Sequence, residues 1–295
     1  MSHAHLARNR RLEGCRDGTA FLKQLPLPPS TALRIMVVVT LPTFPLDVPP
    51  VREFKRSALE DVQRVIDDAR ASLAPRGFGI ETDVAVGDAK EEIVRAAEEW
   101  RADLVVLGAR GLGRIKRFLL GSVSLAVARH ARCPVLVVKG RPRKLGSVLV
   151  AMDGSEDSFQ AVRFLLSLPL PRPTKVRLLS VVEPIRYPTS APRALRGQLI
   201  GMLKELENER RGQLEKVLER AATQLDGKVT RVTRSTSTGN PADEIVATAA
   251  AHDTDLVVVG ARGHGGMARL LLGSVSEKVL RDARGPVLIV KGHSP

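Results

Sequence analysis

Aromatic residues make up only 3% of this 295-residue chain, and cysteine occurs just twice. With so few rings, the core must be aliphatic, and the surface offers little on which nucleic-acid bases could stack. The two cysteines, Cys15 and Cys133, fit no metal-binding spacing and are expected to be unpaired thiols in a reducing cytoplasm. No metal site is predicted.

Long apolar runs and a secretory leader are also missing. No run is long enough to span a bilayer, and the first residues carry charges without the apolar centre of a signal peptide. We therefore predict a cytoplasmic protein without a membrane segment. The net charge of +14 could attract nucleic acid or phosphate ligands. Because the basic residues are scattered along helices, a solvated basic surface is the simpler interpretation, and nucleic-acid binding is an alternative.

What the chain does contain is a duplication. The stretch GARGLGRIKRFLLGSVS, which begins at Gly108, recurs as GARGHGGMARLLLGSVS from Gly260, with 12 of 17 positions identical. Matches further upstream keep the offset of 152 residues, but the earliest ones, at 25–39 and 168–182, are offset by 143. The second copy is therefore nine residues longer between its second and third strands. Two copies of this size predict two domains of similar fold.

The pattern of each copy predicts strands alternating with helices. This order is typical of a doubly wound, parallel α/β sheet of the nucleotide-binding, Rossmann-like kind. In the first copy the expected first strand falls on HLARN, which is not apolar, and Arg10 falls opposite Asp153. We therefore expect the first domain to lack its first strand. The predicted boundaries are a degenerate or disordered arm (1–17), an incomplete first domain (18–140), a linker (141–146) and a second domain (147–295).

The glycine stretch has the spacing G-x2-G-x9-G-S, formed in the second copy by Gly260, Gly263, Gly273 and Ser274. It follows an apolar strand and leads into a helix, at the edge where parallel sheets bind ligands. The free N–H groups of a helix start favour phosphate, and nearby hydroxyls can add hydrogen bonds. A tight turn with a serine cap is the plainer alternative. The repetition of the spacing favours a phosphate site.

These residues resemble the universal stress protein family. The resemblance is carried by VLVAMDGS at 148–155, LLSVVEP at 178–184, the glycine motif followed by VS, and the closing PVLVVKG and PVLIVKG. It implies a five-stranded parallel sheet in each half and, for members with this glycine motif, ATP binding. It also implies pairing of domains through their terminal strands, here within one chain or in a homodimer.

The resemblance implies a site in the second half, with Asp153 against ribose, the backbone of Val181 against adenine, and the loop from Gly260 against phosphates. Its residues are Ala151, Met152, Asp153, Val181, Gly260, Arg262, Gly263, Gly273, Ser274, Val275 and Ser276. A possible second site comprises Val38, Gly108, Arg110, Gly111, Gly121, Ser122, Val123 and Ser124. Because the first copy has no matching aspartate, a complete site is expected only in the second half.

The predicted function is an ATP-binding universal stress protein with a regulatory or sensing role. A slow ATPase or nucleotidyl-transfer enzyme is an alternative, but no carboxylate or histidine pair is evident beside the phosphates, so no catalytic residue is assigned. His264 is interpreted as an exposed loop residue. The sequence leaves open whether Mg²⁺ accompanies the triphosphate.

Overall fold

The structure is a computed structural model that describes residues 3–9, 12–40, 49–109, 120–140, 142–185, 196–264 and 272–292. Its strands are β1 (His3–Asn9), β2 (Ala32–Val39), β3 (Gly79–Val86), β4 (Leu104–Gly108), β5 (Val135–Val138), β6 (Ser147–Ala151), β7 (Lys175–Val182), β8 (Arg231–Thr238), β9 (Leu256–Gly260) and β10 (Val287–Val290). Its helices are α1 (Leu12–Leu22), α2 (Pro49–Leu73), α3 (Ala89–Glu99), α4 (Ser122–His130), α5 (Glu156–Ser167), α6 (Arg196–Leu225), α7 (Pro241–Ala251) and α8 (Ser274–Asp282).

The strands form one sheet in the order β3-β2-β1-β4-β5-β10-β9-β6-β7-β8. Each half contributes five parallel strands in the same order, so the predicted doubly wound α/β fold is confirmed. The inner strands β4, β5, β9 and β10 are short and almost entirely apolar, as expected for strands covered on both faces. Helices α1, α2, α5 and α6 cover one face of the sheet, and α3, α4, α7 and α8 cover the other.

The prediction that the first half lacks its first strand is wrong. Strand β1 pairs with β2 from His3 to Asn9 and with β4 on its other side. Backbone hydrogen bonds on both sides hold a central strand whatever its side chains, which is why a polar sequence was misleading. Helix α1 likewise begins at Leu12, inside the expected arm.

The register of β1 also corrects the alignment of the two halves. His3 lies opposite Ala32 in the first half, and Ser147 lies opposite Lys175 in the second. Strands β2 and β7 correspond at an offset of 143, so β1 and β6 correspond at 144. The position equivalent to Asp153 is therefore residue 9, an asparagine, and not Arg10. An amide stands where the second half has a carboxylate.

The halves meet where β5 and β10 pair antiparallel, with Leu136 opposite Leu288. The predicted association through the terminal strands is thus confirmed within the chain. Both strand edges are used by this pairing, so a second copy would have to dock elsewhere. The expected linker packs closely, since Leu145 is buried and its N–H donates to Gln24 Oε1 at 2.6 Å.

Two equivalent lysines cross this junction in opposite directions. Lys139 Nζ donates to the carbonyls of Arg281 and Ala283 at the end of α8, at 3.1 and 2.7 Å. Lys291 makes the equivalent bonds to the end of α4. A cation at a helix C-terminus is favoured by the helix dipole and by the free carbonyls there. Burial lowers the pKa of each lysine to about 8.

No helix in the described ranges has both the length and the apolar character needed to cross a bilayer.

Candidate functional site

A cavity of about 740 Å³ opens at the carboxyl ends of β6, β7 and β9. Residues of helices α6 and α7 and the N-terminus of α8 also line it. The eleven residues predicted for the second half all line this one cavity. The structure therefore brings them together, while their contact with a ligand stays a prediction.

Asp153 leaves the sheet just after β6 and is exposed at the cavity. Its Oδ1 accepts hydrogen bonds from the backbone N–H of Ser155 at 2.9 Å and from its hydroxyl at 2.5 Å. Within the described residues Oδ2 accepts no hydrogen bond, so one carboxylate oxygen is held and the other is available. A fixed carboxylate with a free oxygen can accept from a ligand hydroxyl.

Two glycines of the motif leave no room for a side chain. A Cβ at Gly260 would lie 2.7 Å from the carbonyl carbon of Asp157, where the end of β9 meets α5. A Cβ at Gly263 would lie 2.5 Å from Asp153 Oδ2. Both distances are shorter than any real contact allows, so a side chain at either position must displace its neighbour. Gly263 thereby keeps the Asp153 carboxylate in place.

The N-terminus of α8 has no side-chain cap, because Gly273 occupies the capping position. Helices α5 and α7, in contrast, are capped by Ser155 and Asn240. The first residues of α8, Ser274 to Ser276, line the cavity. Uncapped N–H groups and the positive end of the helix dipole suit an anion such as phosphate. The first half repeats this arrangement, since Gly121 begins α4 without a side-chain cap.

Ser276 has a structural task that the sequence did not reveal. Its hydroxyl donates to the carbonyl oxygen of Gly260 at 2.6 Å, and the equivalent Ser124 donates to Gly108 at 3.0 Å. The hydroxyl has one hydrogen, which is already used. The hydroxyl hydrogen is engaged by the Gly260 carbonyl in this structure, so a contact between Ser276 and phosphate stays a prediction. Ser274 keeps its hydroxyl free of bonds to the described residues.

Arg262 lies between the loop glycines and pairs with the buried carboxylate of Asp157. Its backbone N–H and its Nε donate to Asp157 Oδ2 at 3.0 and 3.2 Å, and Nη2 lies 3.5 Å from Oδ1. The N–H of Gly292 donates to Oδ1 at 3.1 Å. The side chain of Asp157 is only 7% exposed. A buried carboxylate needs such partners, so Asp157 ties the loop to the end of β10.

Asp157 was not predicted as a site residue, although it belongs to the acidic stretch DGSED at 153–157. The wall formed by α6 was not predicted either, because only the docking of that helix decides which residues face the cavity. Glu207 accepts from the N–H of Ile185, and Arg211 donates to Thr238, so α6 is fixed beyond the ends of β7 and β8. The lining residues not foreseen are Gly154, Ser158, Leu179, Val182, Glu183, Arg210, Gln213, Leu214, Val217, Pro241, Ile245, Val259 and His264.

The structure describes only some of the residues of the possible second site. Val38 is buried in β2, Gly108 ends β4, and Gly121, Ser122, Val123 and Ser124 lie at the start of α4. Arg110 and Gly111 lie outside the described residues. By register, Asn9 replaces the aspartate at this half's first strand.

A metal site made by the protein alone does not occur in the described part of the chain, where no three His, Cys, Asp or Glu side chains cluster suitably. Asp153 and Glu183 are the two carboxylate residues that line the cavity. Oxygen donors of this kind suit Mg²⁺.

Comparison with known proteins agrees with this architecture. A structure of a universal stress protein from Archaeoglobus fulgidus has a TM-score of 0.63, with 20% identity over 97% of this chain and 96% of its own. The Universal stress protein family model matches residues 20–139 and 145–291. The chain therefore belongs to the universal stress protein family.

Two relatives each match about four fifths of this chain. A universal stress protein of Mycolicibacterium smegmatis is 30% identical over 244 residues, which is 81% of this chain and 77% of the relative. One of Mycobacterium tuberculosis is 28% identical over 252 residues, or 80% and 76% of the two chains.

Proposed function

We propose that the second half binds ATP in the cavity at the ends of β6, β7 and β9, and that the protein acts as a nucleotide-dependent regulator or sensor. The observation that supports this most is the meeting of a free Asp153 oxygen and the uncapped start of α8 in one cavity. One group suits ribose hydroxyls and the other suits phosphate, so together they fit a nucleotide.

The remaining walls of the cavity are suited to contact with the adenine base. Val181 and Leu179 on β7, with Ile245 on α7, offer apolar surface, and the edge of the strand offers backbone groups. Flat apolar walls with a few polar groups are typical of sites that take a small organic ligand. Mg²⁺ would be held between the phosphates and the Asp153 or Glu183 carboxylates.

A regulatory role is proposed because ligand binding to the folded state stabilises it and can change how the halves pack. The proposed setting is the cytoplasm, where a free thiol such as Cys133 stays reduced. We assign no catalytic residue. His264 lines the cavity, but nothing in the described residues orients it as a base.

The test is nucleotide binding by the purified chain. Titration calorimetry with ATP is expected to give one site per chain, and Asp153→Ala is expected to weaken binding by about tenfold or more, as for loss of a charged hydrogen bond. A matched control is Asp226→Ala, which removes an exposed carboxylate that does not line the cavity. ADP that accumulates with time and disappears in Asp153→Ala would favour the ATPase alternative. Absence of ATP binding would reject the proposal.

A further inference from the structure

Lys291 stands between the proposed nucleotide site and the first half of the molecule. It follows β10, and its Nζ donates to the carbonyl of Arg129 at 2.9 Å and to that of Ala131. Both carbonyls lie at the C-terminal end of α4 in the first half. The next residue along the chain, Gly292, donates its N–H to Asp157. The same two-residue segment thus contacts α4 on one side and the partner of Arg262 on the other.

The charges around Lys291 belong to the site as well as to the junction. Burial is the main cause that lowers the pKa of Lys291, while Cys133 and Asp157 raise it and Arg262 lowers it further. The ammonium group therefore lies within the electrostatic reach of both members of the Arg262–Asp157 pair. A buried carboxylate that loses one cation depends more strongly on the other.

A phosphate in the cavity would compete with Asp157 for the Arg262 guanidinium. Arg262 lines the cavity and is 32% exposed, and the contact of its Nη2 with Asp157 is long, at 3.5 Å. Guanidinium groups bind phosphate and carboxylate with similar fork geometry. A phosphate at the start of α8 would draw Arg262 away from Asp157, and Lys291 would then compensate the buried carboxylate.

We propose that Arg262, Asp157 and Lys291 couple nucleotide binding in the second half to the packing of α4 in the first, with Lys291 as a positioning residue. This inference rests on the proposed ATP site. Lys291 bonds to the α4 carbonyls and the adjacent Gly292 bonds to Asp157, so release of Arg262 by ATP draws Lys291 toward Asp157 and loosens the last turn of α4. Because coupling between two sites is reciprocal, removing the lysine weakens ATP binding.

The duplication supplies a matched control. Lys139 makes the equivalent two bonds to the end of α8 and is similarly buried. The charged neighbour that acts on Lys139 is Asp282, whereas Asp157 and Arg262 act on Lys291. Lys139→Gln therefore breaks the same kind of contact without removing a cation from the Arg262–Asp157 pair.

The experiment has one readout without nucleotide and two with it. In nitrogen–proton NMR, the Arg262 Nε–H signal, assigned from its loss in Arg262→Lys, is expected to shift in Lys291→Gln and not in Lys139→Gln. ATP affinity is expected to fall by about fivefold or more in Lys291→Gln, the low end of ordinary coupling. It should stay within about twofold in Lys139→Gln, as for an independent site. ATP should speed hydrogen exchange in the last turn of α4 in the wild type only.

The failures of the two proposals are distinguishable. If the wild type binds ATP but both lysine variants leave the Arg262 signal and the affinity unchanged, the coupling is wrong and the ATP site stands. Equal losses in both variants would also overturn it, because they would show a purely structural role. If the wild type binds no ATP, the ATP site is wrong and the coupling falls with it. The NMR signal would then report only whether Lys291 positions Arg262.

Discussion

Replacing Gly263 with alanine should disable the proposed site without unfolding the domain. The added Cβ would lie 2.5 Å from Asp153 Oδ2, so the carboxylate must turn away from its position at the cavity. Asp153 is exposed and its other oxygen bonds only to Ser155, so the folded chain can tolerate this movement. No left-handed backbone angle occurs at Gly263, and alanine therefore adds no backbone strain.

The loss expected for binding follows from the hydrogen bond that is broken. A hydrogen bond to a charged group contributes about 1.5–3 kcal/mol, which corresponds to a weakening of ATP binding by about tenfold to a hundredfold. Titration calorimetry measures the affinity, and urea unfolding checks that stability is kept. Gly285→Ala is the matched control, because its Cβ would meet nothing closer than 3.7 Å. Wild-type affinity in Gly263→Ala would refute the role assigned to Asp153.

Three further predictions concern stability. Asp157→Ala should lower the free energy of unfolding by about 3 kcal/mol, seen as a lower urea midpoint, because the buried donors around the carboxylate lose their acceptor. Asp157→Asn keeps an acceptor and should lower the free energy of unfolding by less. Ser276→Ala should cost about 1 kcal/mol in the same assay, since the bond to the end of β9 is lost. The free energy of unfolding should rise as the pH increases from about 8. Lys139 and Lys291 have pKa values of about 8 in the folded chain, whereas a lysine in the unfolded chain has a pKa of about 10.4. Between these values the unfolded chain binds more protons, so a higher pH favours the folded chain. Cys133, whose pKa burial raises to about 11, opposes this rise at higher pH, and the Lys139→Gln/Lys291→Gln double variant should lose the rise.

Most of the fold could be predicted from the sequence because the chain contains two copies of the same unit. Apolar runs such as those of β9 and β10 identify buried strands, and the repeat fixes their order. Strand β1 could not be found in this way, since backbone pairing with β2 and β4 holds it while its composition is polar. The one-residue difference in offset that places Asn9 opposite Asp153 appears only in the strand register.

The candidate site also contains residues that could be predicted from the sequence and residues that could not. Residues near the strand ends and the glycine loop could be predicted because a local motif marks them. Arg210 and Gln213 on α6 could not, since their place on the cavity wall depends on how a long helix docks beyond the sheet. The partner of Arg262 is separated from it by 105 residues, and the bond of Ser276 spans 16, so neither contact is a local pattern.

The most direct test of the account is the number of ATP molecules bound per chain by the purified protein, measured by calorimetry beside Asp153→Ala. One ATP is expected per wild-type chain, with affinity reduced about tenfold or more in the variant. Two equivalent sites would contradict the assignment to the second half alone, and no binding, or equal binding by the variant, would contradict the site itself.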